Sequence, residues 1–151
     1  MKKLEGKVAI VSGSGRGIGR AIAMKLASEG AKVVINDLDA APAEQTLADI
    51  KAAGGTAVAC VGSVTADGFA DRFVKTAIDN FGGLDIIINN AGYTWDNVVQ
   101  KMTDEQWNAI IDVHLTAPFK ILRAAAEFIR AASRKEAEAG QEVFRKVVNI
   151  S

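Results

Sequence analysis

Four glycines within seven residues, Gly13, Gly15, Gly17 and Gly19, follow directly on the apolar run Val8–Val11. The chemistry this spacing permits is the binding of a phosphate or pyrophosphate. Glycine lets the backbone approach an anion closely and adopt a positive φ. A helix that starts at such a turn aims its free N–H groups at the charge. A helical pattern does start there, with Ile18, Ile22 and Leu26 on one face. Gly-x-Gly-x-x-Gly does not fit, because its sixth position is Ile18; Gly13-x-x-x-Gly17-x-Gly19 does. No Gly-Lys-Ser/Thr follows, so this is not a P-loop. A βα turn that binds nothing could have the same composition, so the assignment rests on what else the chain brings nearby.

Other groups with usable chemistry follow apolar runs in the same way. Asp37 ends Lys32–Asp37, 24 residues after Gly13. A carboxylate there can accept hydrogen bonds from both hydroxyls of an adenosine ribose and would repel a 2′-phosphate. Arg16 argues the other way, since its planar guanidinium could grip a 2′-phosphate. The carboxylate is the stronger determinant, so NAD(H) is favoured, with NADP(H) possible through Arg16. Leu38, beside Asp37, and Ser63 with Val64, after Thr56–Val61, likewise fall just after apolar runs, where cofactor-binding groups are expected. Asn89-Asn90-Ala91-Gly92 follows Leu84–Asn89 and leaves room for a flat ring or a ribose; an Asn-rich turn of purely local use has the same look. Tyr93 and Trp95 could line a substrate mouth or cap the edge of the core. His114, the one histidine, sits between Val113 and Leu115 on a helical stretch, where a satisfied or partly exposed helix histidine is the more ordinary occupant.

The elements that must hold these groups alternate regularly. Strands are expected at 8–11, 32–37, 56–61, 84–89 and 146–150, with helices between them. Gly30, Gly54-Gly55 and Gly82-Gly83 stand as stops. Thr103-Asp-Glu-Gln106 matches a capping box, so a helix should begin near Thr103 and carry Trp107, Ile110, Ile111 and Leu115. Pro118 should kink it, and the pattern resumes from Phe119 to about Arg134. Residues 133–146 read as a helix extension and a surface loop. Strands alternating with helices give an α/β, doubly wound parallel sheet of Rossmann type, with order 3-2-1-4-5 and helices on both faces. Its ligand crevice lies at the carboxyl ends of strands one and four, where the singled-out groups fall.

Bulk properties narrow the function. The 151 residues suffice for one domain. Eighteen basic residues balance eighteen acidic ones, which removes any bulk electrostatic case for nucleic acid or an anionic membrane. The single cysteine, Cys60, excludes an intrachain disulfide and a cysteine-based zinc site, and no metal site is expected. Apolar runs are strand-sized, and the charged start does not read as a signal peptide, so the cytoplasm is the expected compartment.

Taken together, Ser12-Gly13-x-x-x-Gly17-Ile18-Gly19, Asp37 and Asn89-Asn90-Ala91-Gly92 resemble the short-chain dehydrogenase/reductase family. Residues 89–107 look especially like 3-oxoacyl-[acyl-carrier-protein] reductases and the related 3-hydroxyacyl-CoA dehydrogenase modules. The resemblance covers essentially the whole chain and about the N-terminal three-fifths of the family's usual length. It implies reversible hydride transfer between a nicotinamide cofactor and a carbonyl or alcohol. It also implies a tyrosine as general acid/base, a lysine lowering its pKa, a serine orienting the carbonyl, and a helix asparagine holding a water. A phenol of ordinary pKa, about 10, is a poor base near neutrality, and a nearby ammonium favours the phenolate.

Several positions depart from that pattern. The serine would fall directly after Ser151, and the Tyr-x-x-x-Lys pair later still. The one tyrosine, Tyr93, has Asn97 rather than lysine four residues on. His114 occupies the helix-asparagine position, where an imidazole can still hydrogen-bond water and shuttle protons. Ser63 stands for the usual Asp or Asn at the adenine, and Ser12 for the usual Thr. Two functions remain open on the sequence. One is the cofactor-binding part of an oxidoreductase acting on a small-molecule, acyl-carrier-linked or CoA-linked carbonyl, itself inactive in isolation. The other is a non-catalytic nucleotide-binding or interaction module. The resemblance further implies a homodimer or tetramer, with the long helix near His114–Ile129 at an interface.

Overall fold

The computed structural model describes residues 1–151. Five strands, β1 (Val8–Val11), β2 (Lys32–Ile35), β3 (Thr56–Ala59), β4 (Ile86–Asn89) and β5 (Lys146–Asn149), form one sheet. Their order is β3-β2-β1-β4-β5, as the alternation predicts, and every pair is parallel. Ile10 is flanked by Val34 and Ile87 in register. β1 and β4 are buried along their whole length, which explains their near-continuous apolar sequence.

Side chains alternate between two cores. Val8, Ile10, Val34 and Ile87 pack with Phe69 and Phe73 of α3 (Phe69–Phe81) and Ile121 of α5 (Ala117–Glu138). Ala9, Val11, Val33 and Ile88 pack on the other face with Ala23 of α1 (Gly17–Ser28) and Ile50 of α2 (Ala40–Ala52). Cys60 is buried in the first core.

The predicted capping box is present. Thr103 accepts from the Gln106 N–H, and the Gln106 side chain returns the bond to Thr103, opening α4 (Asp104–Ile111). Pro118 does not break the helix that follows. A five-residue π-helical turn, Asp112–Thr116, joins α4 to α5 immediately before it. In a regular ladder the Pro118 ring would collide with the His114 carbonyl, and the widened turn relieves that. Trp107 and Leu115 of this helix are exposed, not core.

Arg145 closes the loop between α5 and β5. Its guanidinium donates to both Glu136 oxygens at 2.7 and 2.8 Å and to the Leu84 carbonyl at 3.2 Å. Hydrogen bonding from Arg145 holds the Glu136 carboxyl below the ordinary carboxylate range. A carboxyl depressed in the folded state contributes stability that is complete above its unfolded value and is lost as pH falls through the folded one. Replacing Glu136 with Gln should therefore lower the melting temperature at neutral pH. The gap from the wild type should close as pH falls below about 4, the usual glutamate range. A gap that stays constant across that titration would remove the ion pair from this role.

Candidate cofactor site

The strand ends converge on a groove of about 1030 Å³ between the β1–α1 turn, the β2 and β3 ends and the β4–α4 segment. Its floor is held by polar side chains that face inward. Ser12 Oγ accepts from the Asn90 and Ala91 N–H groups at 3.0 Å, and Asn90 Nδ2 donates to the Ser12 and Gly13 carbonyls at 3.1 Å. Asn36 accepts from the Gly13 N–H and donates to the Cys60 and Gly62 carbonyls. Ser12 and Asn36 are almost wholly buried, so each bond replaces one that water would otherwise make. Together they lock the turns after β1, β2, β3 and β4 into one rigid rim.

At the start of α1 no side chain caps the helix, and its first turn carries no acidic residue. The first N–H bonded along the helix is that of Arg20, to the Arg16 carbonyl at 3.2 Å. The N–H groups of Gly17, Ile18 and Gly19 are thus free to meet an anion, with the positive end of the helix dipole behind them. Gly13 and Gly17 have φ of +62° and +56°, conformations that favour glycine. A Cβ on Gly13 would sit 2.9 Å from Ala91 Cα, and one on Gly19 would overlap the Gly13 carbonyl oxygen and the Asn90 amide. The absence of side chains at these positions keeps the cradle open and α1 close to β1.

Of the residues singled out from the sequence, Gly13, Arg16, Gly17, Ile18, Gly19, Asp37, Leu38, Ser63, Val64, Asn90, Ala91 and Gly92 all line this groove. Gly15 does not. It backs Asp37 instead, and a Cβ there would lie 2.5 Å from Asp37 Oδ2. Tyr93 lines the groove, half-exposed, while Trp95 stands outside it.

Arg16 and Asp37, which argue for opposite cofactors in the sequence, are bonded to one another. Arg16 donates to Asp37 Oδ1 at 3.0 Å through Nη2 and to Oδ2 at 3.4 Å through Nε. Hydrogen bonding to Asp37, and then to Asp39, raises the guanidinium pKa further above its ordinary value. The Asp37 carboxylate is buried, whereas the Arg16 side chain is largely exposed. The buried member of the pair is therefore the carboxylate, and the exposed one the cation.

His114 lies within the π-helical turn, beside the groove rather than in its wall. Its Nδ1 is 3.0 Å from the Ile110 carbonyl oxygen. That oxygen can only accept, so the bond places a proton on Nδ1, and in the neutral ring Nε2 is then the acceptor. Nε2 faces Gly92, where a Cβ would meet it at 2.5 Å. Sequence reasoning passed over Asn36, Asp39 and Asp112. Asn36 carried one signal, a polar side chain at the end of an apolar strand. No three His, Cys, Asp or Glu side chains converge into a metal-binding group.

A parallel sheet in this order, with a glycine turn, free helix N–H groups and a strand-end carboxylate around its switch point, is a Rossmann-type fold. The pattern of the short chain dehydrogenase family matches residues 7–145, and the chain belongs to that family of nicotinamide-dependent oxidoreductases. It is 44% identical over 98% of its length to a hydroxyacyl-CoA dehydrogenase, ChsB1, of Mycobacterium tuberculosis, of which it covers 47%. It is 38% identical over 85% of its length to a 3-oxoacyl-[acyl-carrier-protein] reductase of Synechocystis sp., of which it covers 53%. A short chain dehydrogenase from Mycobacterium avium superposes with a TM-score of 0.85 at 39% identity, over 97% of this chain and 54% of that one. A metagenomic short-chain oxidoreductase in complex with NADP superposes at 0.80 with 38% identity, over 85% of this chain and 59% of that one. The chain spans about half the length of these relatives.

Proposed function

We propose that this chain is the cofactor-holding part of an NAD(H)-preferring oxidoreductase of the 3-oxoacyl or 3-hydroxyacyl thioester type. The observation that carries the cofactor reading is the buried Asp37 carboxylate at the end of β2, facing the groove. The free N–H groups of Gly17, Ile18 and Gly19 would hold the pyrophosphate. Asp37 would accept from the ribose hydroxyls, with Leu38, Ser63 and Val64 at the adenine. Asn90, Ala91 and Gly92 would leave room for the ribose and ring at the nicotinamide end. The bound cofactor supplies or accepts the hydride.

His114 would act as a positioning residue. In the neutral ring its Nε2 beside Gly92 can accept a hydrogen bond from a water and pass a proton along. Nothing else in the chain supplies the acid/base machinery, since Tyr93 has no lysine partner in sequence. The substrate class rests on the resemblance of residues 89–107 and on the names of the relatives. No helix is long and apolar enough to cross a membrane, and a cytoplasmic setting is part of the proposal. So is self-association. Trp107, Leu115, Phe119 and Leu122 are exposed along one continuous helix, a stripe suited to a second copy.

The test is hydride transfer from NADH to a 3-oxoacyl thioester. The 1–151 chain should show negligible turnover. A gene product extending past Ser151 and carrying the serine and the Tyr-x-x-x-Lys pair should turn over. Measurable turnover by 1–151 contradicts this placement of the catalytic groups. No turnover of any carbonyl by the extended protein favours the non-catalytic module instead.

A further inference from the structure

We propose that Asp39 is a specificity-determining residue, which holds Arg16 against Asp37 and so withholds the guanidinium from a 2′-phosphate. The proposal rests on the reading of the groove as an NAD(H) site.

Asp39 stands at the N-cap of α2 with extended backbone, φ −101° and ψ 138°. An aspartate there ordinarily accepts from the N–H groups of the first helical turn. This one makes no cap bond. Its Oδ2 instead accepts from Arg16 Nη2 at 2.8 Å, shorter than the 3.0 Å bond from the same nitrogen to Asp37. The Asp39 N–H in turn donates to Asp37 Oδ1 at 3.1 Å. One nitrogen of the cation is therefore shared between two carboxylates, and the two aspartates are joined through the backbone.

All three residues line the groove at the end where the adenosine ribose would lie. Their summed charge is minus one, from one guanidinium and two carboxylates. A dianionic 2′-phosphate arriving there meets net like charge and a cation already occupied. Without Asp39 the cluster is neutral, and the exposed Arg16 side chain is released from its shorter bond. The guanidinium, then held by Asp37 alone, turns more readily to a phosphate, which its planar fork suits. Ribose hydroxyls gain nothing comparable, because their acceptor is Asp37.

The discriminating probes carry only the adenosine end, so that no nicotinamide contact enters. Binding of 5′-AMP and of adenosine 2′,5′-bisphosphate is titrated against the wild-type chain, Asp39→Asn, Arg16→Gln and the double variant. Asparagine keeps the size of the side chain. Loss of fold is not expected from a residue that caps nothing, and circular dichroism checks it. Asp39→Asn should move the ratio of the two affinities about fivefold toward the bisphosphate, the scale of one solvent-exposed charge pair. In the Arg16→Gln background the same change should move it clearly less, by the loss of like charge alone.

An unchanged ratio in Asp39→Asn overturns the proposal. An equal shift with and without Arg16 also overturns it, because Asp39 would then act through its own charge alone. Wild-type preference for the bisphosphate, or no binding of either probe, defeats the underlying NAD(H) reading and the proposal with it. The wild-type titration thus judges the reading, and the variants judge Asp39.

Discussion

Replacing Gly19 with Ala should all but abolish dinucleotide binding and destabilise the fold. The methyl would enter the Gly13 carbonyl oxygen and the Asn90 amide, with the Gly13 carbonyl carbon at 2.8 Å. The obstacle is mainly backbone, which no rotamer change can clear. Overpacking of this kind costs about 1–3 kcal/mol where the surroundings can shift. Here the shift would have to lift α1 off the turn after β1. The N–H groups of Gly17 and Ile18 would move with it, and bonds to an anion contribute about 1.5–3 kcal/mol each. Losing the aim of even one or two of them weakens binding by about a hundredfold. Gly17→Ala is the informative contrast. Its Cβ would meet nothing within 4 Å, but φ is +56°. That variant carries only the left-handed strain, about 1–2 kcal/mol. Thermal melts with NADH titration should rank wild type, Gly17→Ala and Gly19→Ala in falling order. Equal behaviour of the two variants would show that close packing at Gly19 is not what shapes the cradle.

Replacing Asp37 with Ala should turn cofactor preference toward NADP(H). Two effects act in the same direction. NAD(H) loses a charged acceptor for its ribose hydroxyls, about 1.5–3 kcal/mol per bond, or tenfold or more in affinity. The 2′-phosphate loses a repulsive neighbour and gains a freed Arg16, whose bonds to Asp37 at 3.0 and 3.4 Å are gone. Asp37→Asn, which still fits above Gly15, separates the charge from the volume. Competitive titration of NADH and NADPH reads the change. A ratio unmoved in both variants would remove Asp37 from the cofactor site.

The sheet was legible because each strand is an apolar run closed by glycine or a polar turn. The groove residues were legible because they follow strand ends, where a doubly wound sheet opens. What sequence could not distinguish is the face a glycine turns to its neighbours. Gly15 reads like Gly13 and Gly17, yet it backs Asp37 rather than facing the groove. Asp39 was hidden for a related reason. An aspartate before a helix has the look of a cap, but in the fold its carboxylate is turned to Arg16. Pro118 announced a disturbance but not its form, since a kink and a π-helical turn relieve the same collision. Trp107 and Leu115 fit a helical period, which says that they share a face and not that the face is covered.

On the proposed reading, this chain forms an adenine dinucleotide site set for NAD(H) by the buried Asp37 carboxylate. Parallel titration of the wild-type 1–151 chain with NADH and NADPH, followed by cofactor fluorescence or calorimetry, tests it most directly. Saturable binding of both is expected, with NADH the tighter ligand. NADPH binding as tightly as NADH, or better, would contradict it.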